Sequence, residues 1–106
     1  MTITRLIVVA ILFSVLADTA FAANIAEGEK LARRWCAGCH VVAADQKTGS
    51  TEAPPFSSIA EDSRVDAARL ALFLLNPHPV MPDMSLTRSE AADLAAYIKS
   101  QGNHER

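Results

Sequence analysis

Cysteine is scarce in this chain: two residues, Cys36 and Cys39, in 106. One disulfide is the most it can hold, and its two ends are too close in sequence to staple much. A closed zinc site would need more Cys or His at ligand spacing, and beyond the segment around this pair only His78 and His104 remain. Charge of one sign is also missing. Ten Lys and Arg stand against twelve Asp and Glu, with no basic stripe carrying interleaved aromatics, so nucleic acid is not an indicated partner. There is no period-2 alternation that would predict a strand, no internal repeat and no low-complexity tract. No apolar run reaches the roughly 20 residues of a spanning helix; the longest, Leu6 to Ala17, is closed by Asp18. What remains is room for a single small domain built from helices and loops.

The N-terminus accounts for much of the apolar content. Arg5 supplies a positive start, Leu6 to Ala17 an apolar core broken only by Ser14, and Ala20-Phe21-Ala22 a small-x-small cleavage site. Residues 1–22 therefore predict a secretory signal peptide cut after Ala22. The rival reading is a retained membrane anchor, which the short apolar run disfavours, and no cysteine near the cut suggests a lipoprotein. Cleavage removes one charge of each sign and leaves residues 23–106 with the same net charge of −2. A domain this short buries only about 60% of its unfolded surface. Small exported domains usually add a disulfide framework, a metal or a cofactor.

Three helices are predicted in residues 23–106. The first, in "NIAEGEKLARRWC", starts at Asn24 as N-cap, with Glu27 placed as in a capping box. The second runs from about Ser63 to Leu75. Its C-terminal half is apolar nearly all round, which predicts burial, and Pro77 stops it. The third, "TRSEAADLAAYIKSQG", opens on the capping box Thr87–Glu90 and carries Leu94, Tyr97 and Ile98 on one face, with Gly102 suited to a C-cap. Residues 41–62 read as polar and turn-forming, with one apolar node at Pro54, Pro55, Phe56 and Ile59. The segment "NPHPVMPDMSL" reads as a stiff extended loop, and the tail "NHER" as frayed.

The chemistry concentrates in Cys36-Ala37-Gly38-Cys39-His40. A redox dithiol would use C-x-x-C beside a βαβ pattern, which is absent. The reading left is covalent haem attachment, for which C-x-x-C-H is the signature. The thiols add across the haem vinyl groups as thioethers, and the following histidine ligates the iron.

On these residues the chain resembles the small bacterial class I cytochromes c. "GEKLARRWCAGCH" is similar to the family's N-terminal helix and attachment site, "APPFSSIA" to its proline-plus-apolar segment, and "MPDMSLTRSEAADLAAYIKSQ" to its Met-Pro loop and C-terminal helix. The resemblance implies an all-α cytochrome c fold: three main helices with extended loops wrapped around one covalently bound haem c in residues 23–106. It implies Cys36 and Cys39 as thioether residues and His40 as proximal ligand. Gly28 would be the small residue where the terminal helices cross under Tyr97. Pro54 would offer its carbonyl to the far ring nitrogen of His40, with Pro55 as rival.

For the sixth ligand, the family pattern of a methionine before a proline, upstream of the helix aromatic, fits Met81 before Pro82. Met84 and His78 stay open as alternatives. The plainer readings are that Met84 fills a gap, that His78 and His104 are solvated, and that Phe56, Ile59, Leu70, Phe73 and Leu74 form pocket wall and core. Lys47, Arg64 and Trp35 are candidates for the haem propionates.

The resemblance further implies a non-enzymatic, periplasmic one-electron carrier, monomeric and free of the membrane once cleaved, which docks transiently to a protein donor and acceptor. Alternatives of the same chemistry are a dedicated haem subunit of a dehydrogenase or oxidase. Of other classes there remain a five-coordinate gas sensor or peroxidase-like protein, and a haem-free thiol–disulfide protein.

Overall fold

The Asn24 side chain accepts the Glu27 N–H at 3.2 Å and starts helix α1, Ile25–Trp35. The anticipated capping box forms only by half. Glu27 turns outward to Lys30 at 2.8 Å, and the Asn24 N–H is taken instead by Asp93 Oδ1 of the C-terminal helix at 2.7 Å. A tertiary contact has replaced the local one. In this computed structural model, residues 2–4, 7, 22–47, 53–77 and 79–103 are described. The segment read as a signal peptide therefore lies almost wholly outside the described residues, and His78 and His104 lie outside them.

Three further helices follow: α2 (Phe56–Glu61), α3 (Ala67–Leu75) and α4 (Arg88–Ser100), with a 3-10 turn at Gln101–Asn103. No strand occurs among the described residues, and the fold is all-α. None of the described helices is long and apolar enough to cross a membrane.

Helix α4 is the centre of the packing; α1, α2 and α3 all lie against it. Its capping box is complete: Thr87 Oγ1 accepts the Glu90 N–H at 3.1 Å, and the Glu90 carboxylate accepts the Thr87 N–H at 2.8 Å. Leu94, Ala95, Tyr97 and Ile98 are buried on it. Helix α1 crosses it at Gly28. A Cβ there would meet the Asp93 carbonyl and, at 2.8 Å, Tyr97 Cβ. Only the missing side chain lets the two backbones approach this closely.

Four further sequence expectations are corrected. Helix α3 begins at Ala67 instead of Ser63. Its cap is Asp66, which accepts the Arg69 N–H at 2.7 Å, while Asp62–Val65 close a turn, Val65 N to Asp62 O, 3.0 Å. The Lys99 ammonium donates to Ala60 O at 2.8 Å and Val65 O at 2.6 Å, fastening that turn to α4.

The all-round burial expected for α3 is limited to Leu70 and Leu74; Leu72, Phe73 and Leu75 are 69%, 43% and 38% exposed. One face suffices to meet α4. Gly102 is not a left-handed cap, since no described glycine has positive φ. It lies in the 3-10 turn, where a Cβ would stand 3.1 Å from Ala60 Cβ. The stretch read as loop also contains α2, whose one fully buried residue is Phe56.

Candidate haem-binding site

The C-terminal end of α1 runs directly into the cysteine segment. Ala32 O accepts both the Cys36 N–H (2.8 Å) and the Ala37 N–H (3.1 Å), and Cys36 O accepts those of Cys39 (3.1 Å) and His40 (2.8 Å). The chain thus winds on in tight turns and brings both sulfurs and the imidazole to one cavity. This cavity, about 300 Å³, is also bordered by Trp35, Pro54, Met81 and Met84. Both cysteines are free thiols, Cys36 buried and Cys39 exposed. Burial, with a smaller contribution from Cys39, pushes the Cys36 thiol up to about 11, so it stays protonated at neutral pH.

His40 is held from behind. Its Nδ1 lies 2.6 Å from Pro54 O. A carbonyl can only accept, so Nδ1 is the donor here and Nε2 is the ring nitrogen left for a ligand. Of the two prolines left open by the sequence, Pro54 makes this contact. The ring packs on Phe56, centroids 5.4 Å apart, and Phe56 on Tyr97 at 6.3 Å.

The loop after the motif is fixed by two side chains. Gln46 accepts the Val42 N–H at 2.8 Å and donates to Ala37 O (3.2 Å) and His40 O (3.0 Å). The Tyr97 hydroxyl donates to Val42 O at 2.8 Å; burial raises the Tyr97 phenol above its ordinary range and keeps it a neutral donor. Sequence reading passed over Gln46, because no local pattern marks a residue that bonds the backbone on both sides of a turn.

The remaining predicted residues separate clearly. Of the propionate candidates, only Trp35 borders the cavity, with the Arg34 guanidinium 5.1 Å above its ring. Arg64 is engaged by both Asp62 oxygens, 3.0 and 2.8 Å away, and Lys47 is exposed away from the lining. Phe56, Leu70 and Leu74 are core rather than lining, Ile59 is partly buried against that core, and Phe73 turns outward. Met81 is half-buried and Met84 is 7% exposed within the core. No group of three or more His, Cys, Asp or Glu able to hold a metal ion is found among the described residues.

Two free thiols at the attachment spacing, an imidazole with one nitrogen anchored, two thioethers and a mostly apolar wall fit a covalently held iron porphyrin. The fold and this donor set together define the class: a small all-α haem protein of the c type. The family model for cytochrome c oxidase, cbb3-type, subunit III matches residues 23–98. The chain is also 49% identical over 83 residues to cytochrome c-552 of Bradyrhizobium diazoefficiens, an alignment covering 78% of this chain and 80% of that protein. No solved structure gives a significant match. The chain belongs to this cytochrome c family, and its cofactor is covalently bound haem c.

Proposed function

We propose that the protein is a periplasmic one-electron carrier in which Cys36 and Cys39 hold haem c and His40 and Met81 ligate its iron. The observation that carries this reading is the anchored imidazole. Pro54 O fixes Nδ1–H at 2.6 Å, which orients the ring and raises the basicity of Nε2 as a ligand. Met81 and Met84 border the same cavity. When bound, haem c supplies the one-electron iron couple. The chain supplies everything else. The thiols tether the group, His40 and a methionine leave no open coordination position, and the apolar wall excludes water. Thioether ligation and burial both favour the less charged ferrous state and so raise the potential. This is the design of a relay rather than a catalyst. The chain is cut after Ala22, residues 23–106 are the monohaem domain, and its partners are a donor and an acceptor protein met transiently.

Intact mass of the protein purified from the periplasm tests the reading. Loss of residues 1–22 and gain of one haem is expected, with a one-electron Nernstian titration. A haem-free chain, or one retaining the leader, would contradict it. The family's description favours a second reading, a haem subunit of an oxidase complex. Gel filtration of the natively expressed protein separates the two: a carrier elutes alone, a subunit with its complex.

A further inference from the structure

The cavity that holds His40 is bordered by two methionines, not one. They differ in setting. Met81 is half-buried beside Pro82, whereas Met84 is 7% exposed and packed into the core. A buried methionine is usually a gap-filler, and Met84 packs as one. Yet the same residue borders the cavity that His40 borders. Its backbone is also unlike that of a settled core residue. No helix or strand includes residues 81–87. The next residue, Ser85, has φ of 50°, the only positive φ among the described non-glycine residues, in a region where L side chains are disfavoured. The Asp83 carboxylate holds this bend by accepting the Ser85 N–H at 2.9 Å. Downstream the complete capping box of α4 fixes the chain at Thr87. A short strained segment with one rigid end therefore carries two soft sulfur donors into one cavity.

We propose that Met84 is a reserve axial ligand: when Met81 leaves the iron, the Met84 thioether takes its position. This rests on the carrier reading and deepens it. An iron whose sixth ligand can be replaced from within stays six-coordinate and closed to carbon monoxide or oxygen while the outer loop fluctuates. The device needs no partner and no movement of α4, only rearrangement of the segment around Ser85.

The test uses the haem-loaded protein and three variants, Met81→Leu, Met84→Leu and the double substitution. Leucine roughly conserves volume and is tolerated in packed cores; far-UV circular dichroism and haem content by mass confirm that each variant is folded and loaded. Met84→Leu is expected to leave the ferric iron–thioether band unchanged. Met81→Leu is expected to remain six-coordinate and low-spin with a thioether band. The double variant is expected to be open. Because apparent affinity scales with the open fraction, carbon monoxide should bind Met81→Leu about a hundredfold more weakly than the double variant if Met84 occupies the site about 99% of the time.

A Met81→Leu protein that binds carbon monoxide like the double variant overturns the reserve role and leaves Met81 as resident ligand. A Met81→Leu protein that is low-spin without the thioether band also overturns it, by pointing to another donor. Loss of the band in Met84→Leu overturns it by making Met84 the resident ligand. A wild-type protein that is already open instead removes the carrier reading itself.

Discussion

The Gln46 amide accepts one hydrogen bond from, and donates two to, the backbone around the haem-attachment motif. Each such bond contributes on the order of 1 kcal/mol net, and a part-buried group left unpaired costs about as much again. Gln46→Ala should therefore lower the stability of the haem-loaded protein by about 1–3 kcal/mol in a denaturant titration. A change near zero would mean that the loop is held by the thioethers alone. A second residue-scale effect lies in acid. The Arg64 side chain, and then its backbone N–H, hold the Asp62 carboxyl down to about 2 from an ordinary 3.8. The folded pKa is the depressed one, so the contribution is present above 3.8 and lost as pH falls through about 2. Both groups are solvent-facing and salt screens them, so the effect is small. Asp62→Asn should flatten this part of the acid-stability curve at low salt, and an unchanged slope would contradict the assignment. Little of this was legible beforehand. The attachment motif has a fixed signature and was read directly, whereas Gln46 and Asp62 meet partners close in sequence that no motif marks.

At the scale of elements, the helices announced by their caps were legible, the one ending at Leu75 was legible except for its start, and α2 was not. Thr87–Glu90 encodes the start of α4 in four consecutive residues, and the structure forms that box in full. Asn24 encodes the start of α1, but its partner on the backbone side, Asp93, is remote in sequence. Helix α2 has six residues and one buried side chain, too short for a period to show. The start of α3 was misplaced because Ser63 is a plausible cap in isolation, while the real one, Asp66, is set by a turn that Lys99 secures from α4. The decisive junction is between α1 and α4 at Gly28. Here the obstacle to a side chain is the Asp93 backbone as well as Tyr97, and backbone within a capped helix cannot step aside. Overpacking of this kind costs about 1–3 kcal/mol. Gly28→Ala should lower the thermal midpoint of the loaded protein accordingly while leaving the haem spectrum in place. An alanine variant as stable as the parent would show that the crossing is looser than described.

Taken whole, the molecule is a small core centred on α4 with a cavity of about 300 Å³ on one side. A group tethered in that cavity would cover its mostly apolar lining, and burial of apolar surface favours the folded chain. The haem is therefore a large part of what the fold is built around, and the side chains that tether it also set its electronic task. On the reading proposed above, His40, fixed by Pro54, and a methionine of the same cavity would both be taken up by the iron, with no position left for a substrate. The most direct measurement is the absorption spectrum of the haem-loaded protein, oxidised and reduced, with carbon monoxide added to the reduced form at neutral pH. A low-spin six-coordinate spectrum with the weak ferric iron–thioether band, and no rapid shift with carbon monoxide, is the result predicted. A high-spin spectrum that shifts at once would mean an open iron and a sensor or catalyst in place of a carrier.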